Sequence, residues 1–305
     1  MKSYYSHGKL LLTGEYVVLD GAFSLAIPTK FGQDLTVKPI EASKLYWNSF
    51  DENNSNWFEA EFDLSHQNIS CIKNNDEKVS ERLLQILKAA QSLNPKFLSN
   101  RQGFEITTQL EFPKNWGLGT SSTLIHNISN WANINPYSLL DLTFGGSGYD
   151  IACAEANQPK TYQILLDGIR EIKSVNFNPS FKSSLYFVHL NQKQNSRDGI
   201  AKYRSNGSDL KHDIEYISRI TQDMIDCDSL EHFQQLIDRH EQIISKIIKQ
   251  KPVKEFLFND FNGSIKSLGA WGGDFVLVAS QNTPSSYFKD KGFSTIIDYD
   301  DMILK

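Results

Sequence analysis

Apolar residues alternate with polar ones in some stretches of the chain and recur every three or four positions in others. Alternation of the kind found in half-buried strands occurs at 33–38, 44–50, 57–62 and 103–112. Helical spacing occurs at 79–93 and stops at an Asn-Pro pair. The first part of the chain is therefore predicted to be an antiparallel meander, then a long helix, then a further strand.

The second part of the chain continues this mixture of strands and helices. Three strands are predicted between 161 and 190, two amphipathic helices over 210–224 and 233–247, and an apolar strand at 275–279. His240 lies on the apolar stripe of the second of these helices. It is predicted to be a core histidine rather than a ligand.

Composition narrows the class of protein. The 305 residues are 40% hydrophobic and 22% charged, which is typical of a globular chain with about two domains. The formal charge of −5 argues against a nucleic-acid partner. Cys71, Cys153 and Cys227 have no metal-binding or disulfide spacing, and the apolar run at 10–12 is too short for a membrane span. These features predict a cytoplasmic protein without a membrane or nucleic-acid partner.

A glycine-rich turn separates the strand at 103–112 from the helical pattern that follows. Its residues are Gly117, Leu118, Gly119, Thr120, Ser121 and Ser122. Glycine allows backbone to approach a ligand closely, and the free N–H groups of a helix start favour an anion such as phosphate. Small residues of this kind also serve as plain helix caps. Both interpretations stand at this point.

Two more glycine turns follow, GGSGYD at 145–150 and GAWGG at 269–273. Asp150, at the end of the first, is either a turn residue or a catalytic carboxylate. Glycine turns beside strand ends are either structural or converge on one cleft. Lys9 and Glu15 border the first apolar run, where charges are usually solvated.

A polar loop after the third of the predicted strands contains Lys193, Ser196 and Arg197. Two cations and a hydroxyl close together in sequence are suited to clamp an anion, although basic loops are also often merely solvated. Both interpretations remain open for this loop.

Three segments, taken together and in order, resemble the motifs of the GHMP kinase superfamily. They are HGKLLLTGEY at 7–16, GLGTSST at 117–123 and KSLGAWGGDF at 266–275. The resemblance implies an α+β, two-domain GHMP kinase fold, with a ribosomal-S5-like N-terminal domain and a ferredoxin-like C-terminal domain. Residues 1–185 would carry the first two motifs and residues 186–305 the third.

The resemblance also implies an ATP-dependent phosphotransferase that uses Mg²⁺. Residues 117–122 would then bind the ATP phosphates, although the turn is not a GxxxxGK[ST] loop. Lys9 matches the lysine of the first motif and Asp150 the aspartate that faces the acceptor, so both are expected to be catalytic. The hydroxyl of Ser121, or less favourably that of Thr120, matches a magnesium ligand.

The chain departs from the family pattern in two places. His7 replaces the usual proline before Gly8. Mevalonate kinases also have a Mg²⁺-binding glutamate ahead of the aspartate turn, and no glutamate lies between 116 and 150. Asp141 is the nearby carboxylate and is assigned to the metal instead. The missing glutamate leaves open a GHMP-fold sensor or scaffold that binds a small ligand without turnover.

The acceptor implied by the resemblance is a small molecule, phosphomevalonate first and mevalonate as the alternative. GSGYDIACA at 146–154 and the aspartate after the third glycine turn both resemble phosphomevalonate kinases more than mevalonate kinases. The expected acceptor-binding residues are Lys193, Ser196, Arg197, Gly269, Gly272, Gly273 and Asp274. The chain is expected to act as a monomer or homodimer.

Overall fold

The computed structural model describes residues 1–65, 68–192, 196–205, 209–269 and 271–304. The strands are β1 (Lys2–Leu11), β2 (Ser24–Ile40), β3 (Lys44–Phe50), β4 (Asn56–Asp63), β5 (Ser70–Asn74), β6 (Gly103–Leu110), β7 (Lys160–Ile164), β8 (Arg170–Ser174), β9 (Leu185–His189), β10 (Ser264–Ser267), β11 (Phe275–Ala279) and β12 (Ile296–Asp298). The α-helices are α1 (Glu77–Leu93), α2 (Thr120–Ala132), α3 (Pro136–Thr143), α4 (Tyr149–Ala154), α5 (Ser196–Arg204), α6 (Lys211–Ile225), α7 (Leu230–Ile248), α8 (Val253–Leu257), α9 (Ser285–Asp290) and α10 (Tyr299–Met302).

The chain packs into two compact units that interleave along the sequence. The first unit comprises Met1–Gly8, Phe31–Lys114 and Leu118–Glu155, and the second comprises Lys9–Lys30, Asn115–Gly117 and Ala156–Lys305. A division by packing need not coincide with a division by fold, so the domain boundary expected at residue 185 stays a prediction.

The first unit contains a sheet in the order β5-β4-β3-β6-β2. β3 and β4 form the expected antiparallel hairpin. β4 also pairs antiparallel with β5, a strand that was not predicted from the sequence. The expected meander is wrong at one point, because β6 lies between β2 and β3 and pairs with β3 in parallel. A parallel pair needs a crossover connection. Here the chain between β3 and β6 includes the helix α1.

Alternation along these strands gives the first unit its core. In β4 every second residue from Phe58 to Phe62 is buried. The predicted helix at 79–93 is confirmed as α1, which begins where Asp76 accepts a hydrogen bond from the Val79 N–H at 3.2 Å. α1, α2 and α3 pack on one another, and their buried residues join those of the sheet in one cluster.

The second unit contains a second sheet, ordered β10-β11-β9-β12 with antiparallel neighbours. Every residue of β9, β10 and β11 is buried, and α7 packs against β10. Ser229 begins α7 by accepting the His232 N–H at 3.2 Å.

In the same unit β7 pairs with both β2 and β8. The predicted strands and amphipathic helices of the second part are thereby confirmed. Within the described ranges, no helix is both long and apolar enough to cross a membrane.

Candidate active site

The glycine turn at 117–122 ends in the first turn of α2. Gly119 is the N-cap residue, with a left-handed φ of 95°, and it has no side chain with which to accept the first helical N–H groups. The Thr123 N–H makes the bond to Gly119 O at 3.0 Å, so the N–H groups of residues 120–122 precede the helical ladder. The sequence left open a capping side chain or an anion cradle. In the structure no side chain caps the N–H groups at the start of α2, which favours the anion cradle over the plain helix cap.

The two serines of this turn have different environments. Ser122 is buried and its hydroxyl donates to Gly119 O at 2.8 Å, which stabilises the turn itself. Ser121 is exposed at the first turn of α2. Of the two hydroxyls, that of Ser121 is therefore the one open to a ligand.

Lys9 lies at the start of the glycine turn. It belongs to β1, is half-buried, and its Nζ donates to Gly117 O at 2.9 Å. Gly117 is three residues before the first residue of α2. The ammonium group is thus held beside the segment that leads directly to the helix-start N–H groups.

Asp274, from the third motif, packs on the same glycine. A Cβ placed on Gly117 would lie 2.3 Å from the Asp274 carboxyl carbon, so no larger residue fits there. Asp274 is itself buried and has a left-handed φ of 52°, a conformation that aspartate tolerates better than most residues. Residues from all three motif segments meet at Gly117.

The neighbouring residues fix Asn115–Gly117 against the second sheet. The carbonyl of Asn115 lies 3.1 Å from His189 Nε2 at the end of β9. Trp116 meets Phe275, the first residue of β11, edge to face at a centroid distance of 5.3 Å. The entry to the glycine turn is therefore positioned by buried strands.

Asp150 lies in the first turn of the short helix α4, which Gly148 precedes with a φ of 92°. Its Oδ1 accepts the Ile151 N–H at 3.1 Å, and the side chain is half-buried. Asp150 and α2 belong to the same unit, where α2 packs against α4. Its catalytic role stays a prediction.

The magnesium site also stays a prediction. Asp141 is exposed on α3. Over the described ranges there is no group of three or more His, Cys, Asp or Glu residues arranged to hold a metal ion. A site built only from Ser121 and Asp141 would leave most of the coordination to other ligands.

The predicted anion clamp falls partly outside the described residues. Lys193 is among the residues that are not described, and Ser196 and Arg197 are described as the backbone that begins α5.

In the third motif, Gly269 and Gly272 have left-handed φ values of 67° and 84°. Gly273 is buried, and the Trp271 N–H donates to the Tyr16 hydroxyl at 3.3 Å.

Sequence reasoning missed a group of buried ionisable residues beside these motifs. Glu15, expected to be solvated, is 1% exposed and accepts a 2.6 Å hydrogen bond from Lys266 Nζ. His240 is fully buried, so its predicted place in the core is confirmed, although of its two ring nitrogens only Nε2 is hydrogen-bonded within the described residues. The clue in the sequence was that Glu15 lies between two apolar runs. A buried charge requires a partner, and here a distant segment supplies it.

Comparison of the whole structure with solved structures identifies its fold. The chain is similar to Methanococcus jannaschii mevalonate kinase, with 14% identity, a TM-score of 0.68, and coverage of 100% of this chain and 98% of that one. It is also similar to Streptococcus pneumoniae phosphomevalonate kinase in complex with phosphomevalonate and AMPPNP, at 13% identity and a TM-score of 0.69, over 98% and 100% of the two chains.

The chain has the two-domain fold of the GHMP kinases. Lactococcus lactis galactokinase complexed with galactose has the same fold, with 13% identity, a TM-score of 0.68, and coverage of 99% of this chain and 93% of that one. The expected α+β GHMP fold is confirmed. At the level of sequence, no family model and no curated protein matches the chain. The likeness is therefore one of fold.

Proposed function

We propose that this GHMP-fold chain is an ATP-dependent small-molecule kinase whose acceptor is phosphomevalonate. The observation that carries the proposal is the contact of Lys9 Nζ with Gly117 O at 2.9 Å. It places a cation at the entry of a glycine turn that ends in helix-start N–H groups. A polyanion such as a nucleoside triphosphate is the ligand that this combination favours.

The residues of the turn suit a triphosphate. Gly119 supplies no capping side chain, so the N–H groups of residues 120–122 have no cap from that position. ATP would supply the γ-phosphoryl group that is transferred. Lys9 would neutralise charge that develops on this group, while the backbone N–H groups hold the remaining phosphate oxygens.

Ser121 and Asp141 are proposed to contribute oxygens to Mg²⁺. Magnesium commonly takes only one or two protein oxygens and completes its octahedral shell with water and substrate phosphates. Two protein ligands are compatible with a nucleotide-bound metal. The proposal therefore does not require the glutamate that the chain lacks.

The choice of acceptor rests on charge and on resemblance in sequence. Asp150 is proposed to orient the acceptor, and since a phosphate needs little deprotonation, it would orient more than abstract a proton. Lys193, Ser196 and Arg197 are proposed to bind the phosphate already present on the acceptor. The solved phosphomevalonate kinase with the same fold, described with phosphomevalonate and AMPPNP bound, supports this choice.

The test is ADP release measured with phosphomevalonate, mevalonate, galactose and homoserine as acceptors. We expect phosphomevalonate to give the highest kcat/KM. Because Asp150 is proposed to orient the acceptor, we expect Asp150→Asn to lower kcat by at least about 100-fold. The matched control is Asp223→Asn, which changes an exposed aspartate on α6.

Each of the other results points to a different function. A higher kcat/KM with mevalonate would favour a mevalonate kinase. Nucleotide binding without ADP release on any of the four acceptors would favour a sensor or scaffold. Turnover unaffected by Asp150→Asn would contradict the assignment of that residue while leaving the kinase proposal in place.

A further inference from the structure

Four ionisable side chains in the second unit form a buried charge cluster, defined as Glu15, His240, Glu241 and Lys266. None is more than 3% exposed. Glu15 follows Gly14 in the first motif, and Lys266 lies on β10 just before the third glycine turn. His240 and Glu241 are consecutive residues of α7. The cluster therefore connects one helix to two of the three motif segments.

Lys266 connects the buried charge cluster to the third motif segment. Its Nζ donates to Glu15 Oε1 at 2.6 Å and to the Ser267 carbonyl at 3.0 Å, and it lies 3.6 Å from Glu241 Oε1. Ser267 Oγ donates to Glu241 Oε2 at 2.9 Å. The end of β10 is thereby fixed to α7 through the side chains of Lys266 and Ser267.

His240 connects the buried charge cluster to the first motif segment. The Gly14 N–H donates to His240 Nε2 at 3.0 Å. An imidazole nitrogen that accepts a hydrogen bond carries no proton, so the neutral ring must have its proton on Nδ1. Burial, aided by the positive charge of Lys266, lowers the pKa of His240 well below its ordinary value. The ring therefore stays neutral and keeps its acceptor.

Gly14 occupies a position that a residue with a side chain does not fit. Its φ is 87°, and an added Cβ would lie 2.1 Å from Ser24 Oγ. Its amide is enclosed in the second unit, where an unpaired N–H is costly. His240 is the acceptor that the structure provides for it.

The charged groups nearest to His240 in space or in sequence come from three elements. Glu15 Oε2, on the first-motif turn, lies 3.4 Å from His240 Nε2, Lys266 faces the ring from β10, and Glu241 follows it on α7. Buried ion clusters contribute little net stability, because desolvation offsets the attraction between the charges. Their value lies in fixing one arrangement of the groups they join.

We propose that His240 is a positioning residue for phosphoryl transfer: it fixes the Gly14 turn at the end of the strand that carries Lys9, and the cluster joins that turn to the strand entering the third glycine turn. This inference rests on the proposed kinase function for its effect on turnover. Its effect on the Gly14 amide is independent of any activity.

The experiment compares His240→Leu, which removes the acceptor, with His240→Gln, whose side-chain oxygen restores one. The matched control is His232→Leu, an exposed histidine on the same helix. Amide hydrogen exchange at Gly14 is measured without ligand, and kcat and KM are measured with ATP and phosphomevalonate. We expect His240→Leu to speed Gly14 exchange at least about tenfold. Its kcat should fall roughly tenfold to 100-fold with a smaller change in KM.

We expect His240→Gln to restore most of the slow exchange at Gly14 and most of the wild-type kcat. His232→Leu should change neither quantity. Wild-type nitrogen-15 shifts of His240 should show the Nδ1-protonated tautomer, a measurement that does not depend on whether the leucine variant folds. A proton on Nε2, or a folded His240→Leu variant with unchanged Gly14 exchange and kcat, would overturn the inference. Absence of turnover in the wild type would contradict the proposed function instead, and the exchange data alone would then decide the positioning role.

Discussion

At the scale of single residues, two side chains of opposite charge contact Gly117. Lys9 donates to its carbonyl, and the Asp274 carboxyl group packs where a Cβ would otherwise be. The motif that Lys9 matches singled out this residue in the sequence. Its contact with Gly117 could not be predicted, because the two residues are more than 100 positions apart. The burial of Glu15 was missed for the same reason, since its partner Lys266 comes late in the chain.

Glu241 gives a pH-dependent prediction. Burial raises its pKa to about 7 from an ordinary value of 4.5, with Lys266 opposing the shift. Between these values the folded protein binds a proton that the unfolded chain has released, so this group's contribution to the free energy of unfolding falls as pH rises. Glu241→Gln removes that dependence. The variant should gain up to about 3 kcal/mol relative to wild type between pH 4.5 and 8.

Chemical denaturation at several pH values measures this difference. Glu231→Gln, an exposed glutamate on the same helix, is the matched control. If both variants change the pH dependence equally, or if the Glu241→Gln difference falls with pH, the burial of a proton-binding carboxyl in this cluster is refuted.

At the scale of elements, local patterns were sufficient where a segment's own residues decide its structure. The helix at 79–93 and the strands between 161 and 190 were predicted because their periodicity, caps and breaks are contiguous in sequence. The insertion of β6 between β2 and β3 was not, since strand order depends on pairing between distant segments. The glycine turn was located correctly for the same local reason, while its missing capping side chain required backbone geometry.

The turn after β1 gives a prediction at this scale. Gly14→Ala places a Cβ 2.1 Å from Ser24 Oγ in a left-handed conformation, so it adds a steric clash to the backbone strain. We expect it to lower the free energy of unfolding by about 3 kcal/mol or more. Gly168→Ala, at φ 80° with no atom nearby, has the strain alone and should cost about 1 kcal/mol. Equal losses in the two variants, measured by denaturation, would show that Gly14 is not packed as described.

At the scale of the whole molecule, the fold was predictable because three separate motifs occur in the order and spacing of one superfamily. The acceptor is harder to predict from the sequence than the fold is. GHMP-fold proteins with bound galactose and with bound phosphomevalonate have TM-scores of 0.68 and 0.69 to this chain. The fold therefore constrains the acceptor weakly, and our proposal assigns the choice to side chains such as Lys193 and Arg197.

Ligand-induced stabilisation tests the acceptor without requiring turnover. A non-hydrolysable ATP analogue with phosphomevalonate should raise the melting temperature more than the analogue with mevalonate or galactose. A ligand at 100 times its Kd stabilises by about 2.7 kcal/mol. Arg197→Met should reduce the extra shift with phosphomevalonate and leave the shift with the analogue alone unchanged. An equal or larger shift with galactose would contradict the proposed acceptor.

The most direct test of the central claim is ADP release by Lys9→Met beside Lys2→Met, which changes an exposed lysine on the same strand. Lys9 is the cation that contacts the entry of the glycine turn, so its loss should lower kcat by at least about 100-fold while the melting temperature stays close to that of wild type. Lys2→Met should retain wild-type turnover. A Lys9→Met variant with wild-type kcat would contradict the claim that this lysine and the glycine turn together form the phosphoryl-transfer site.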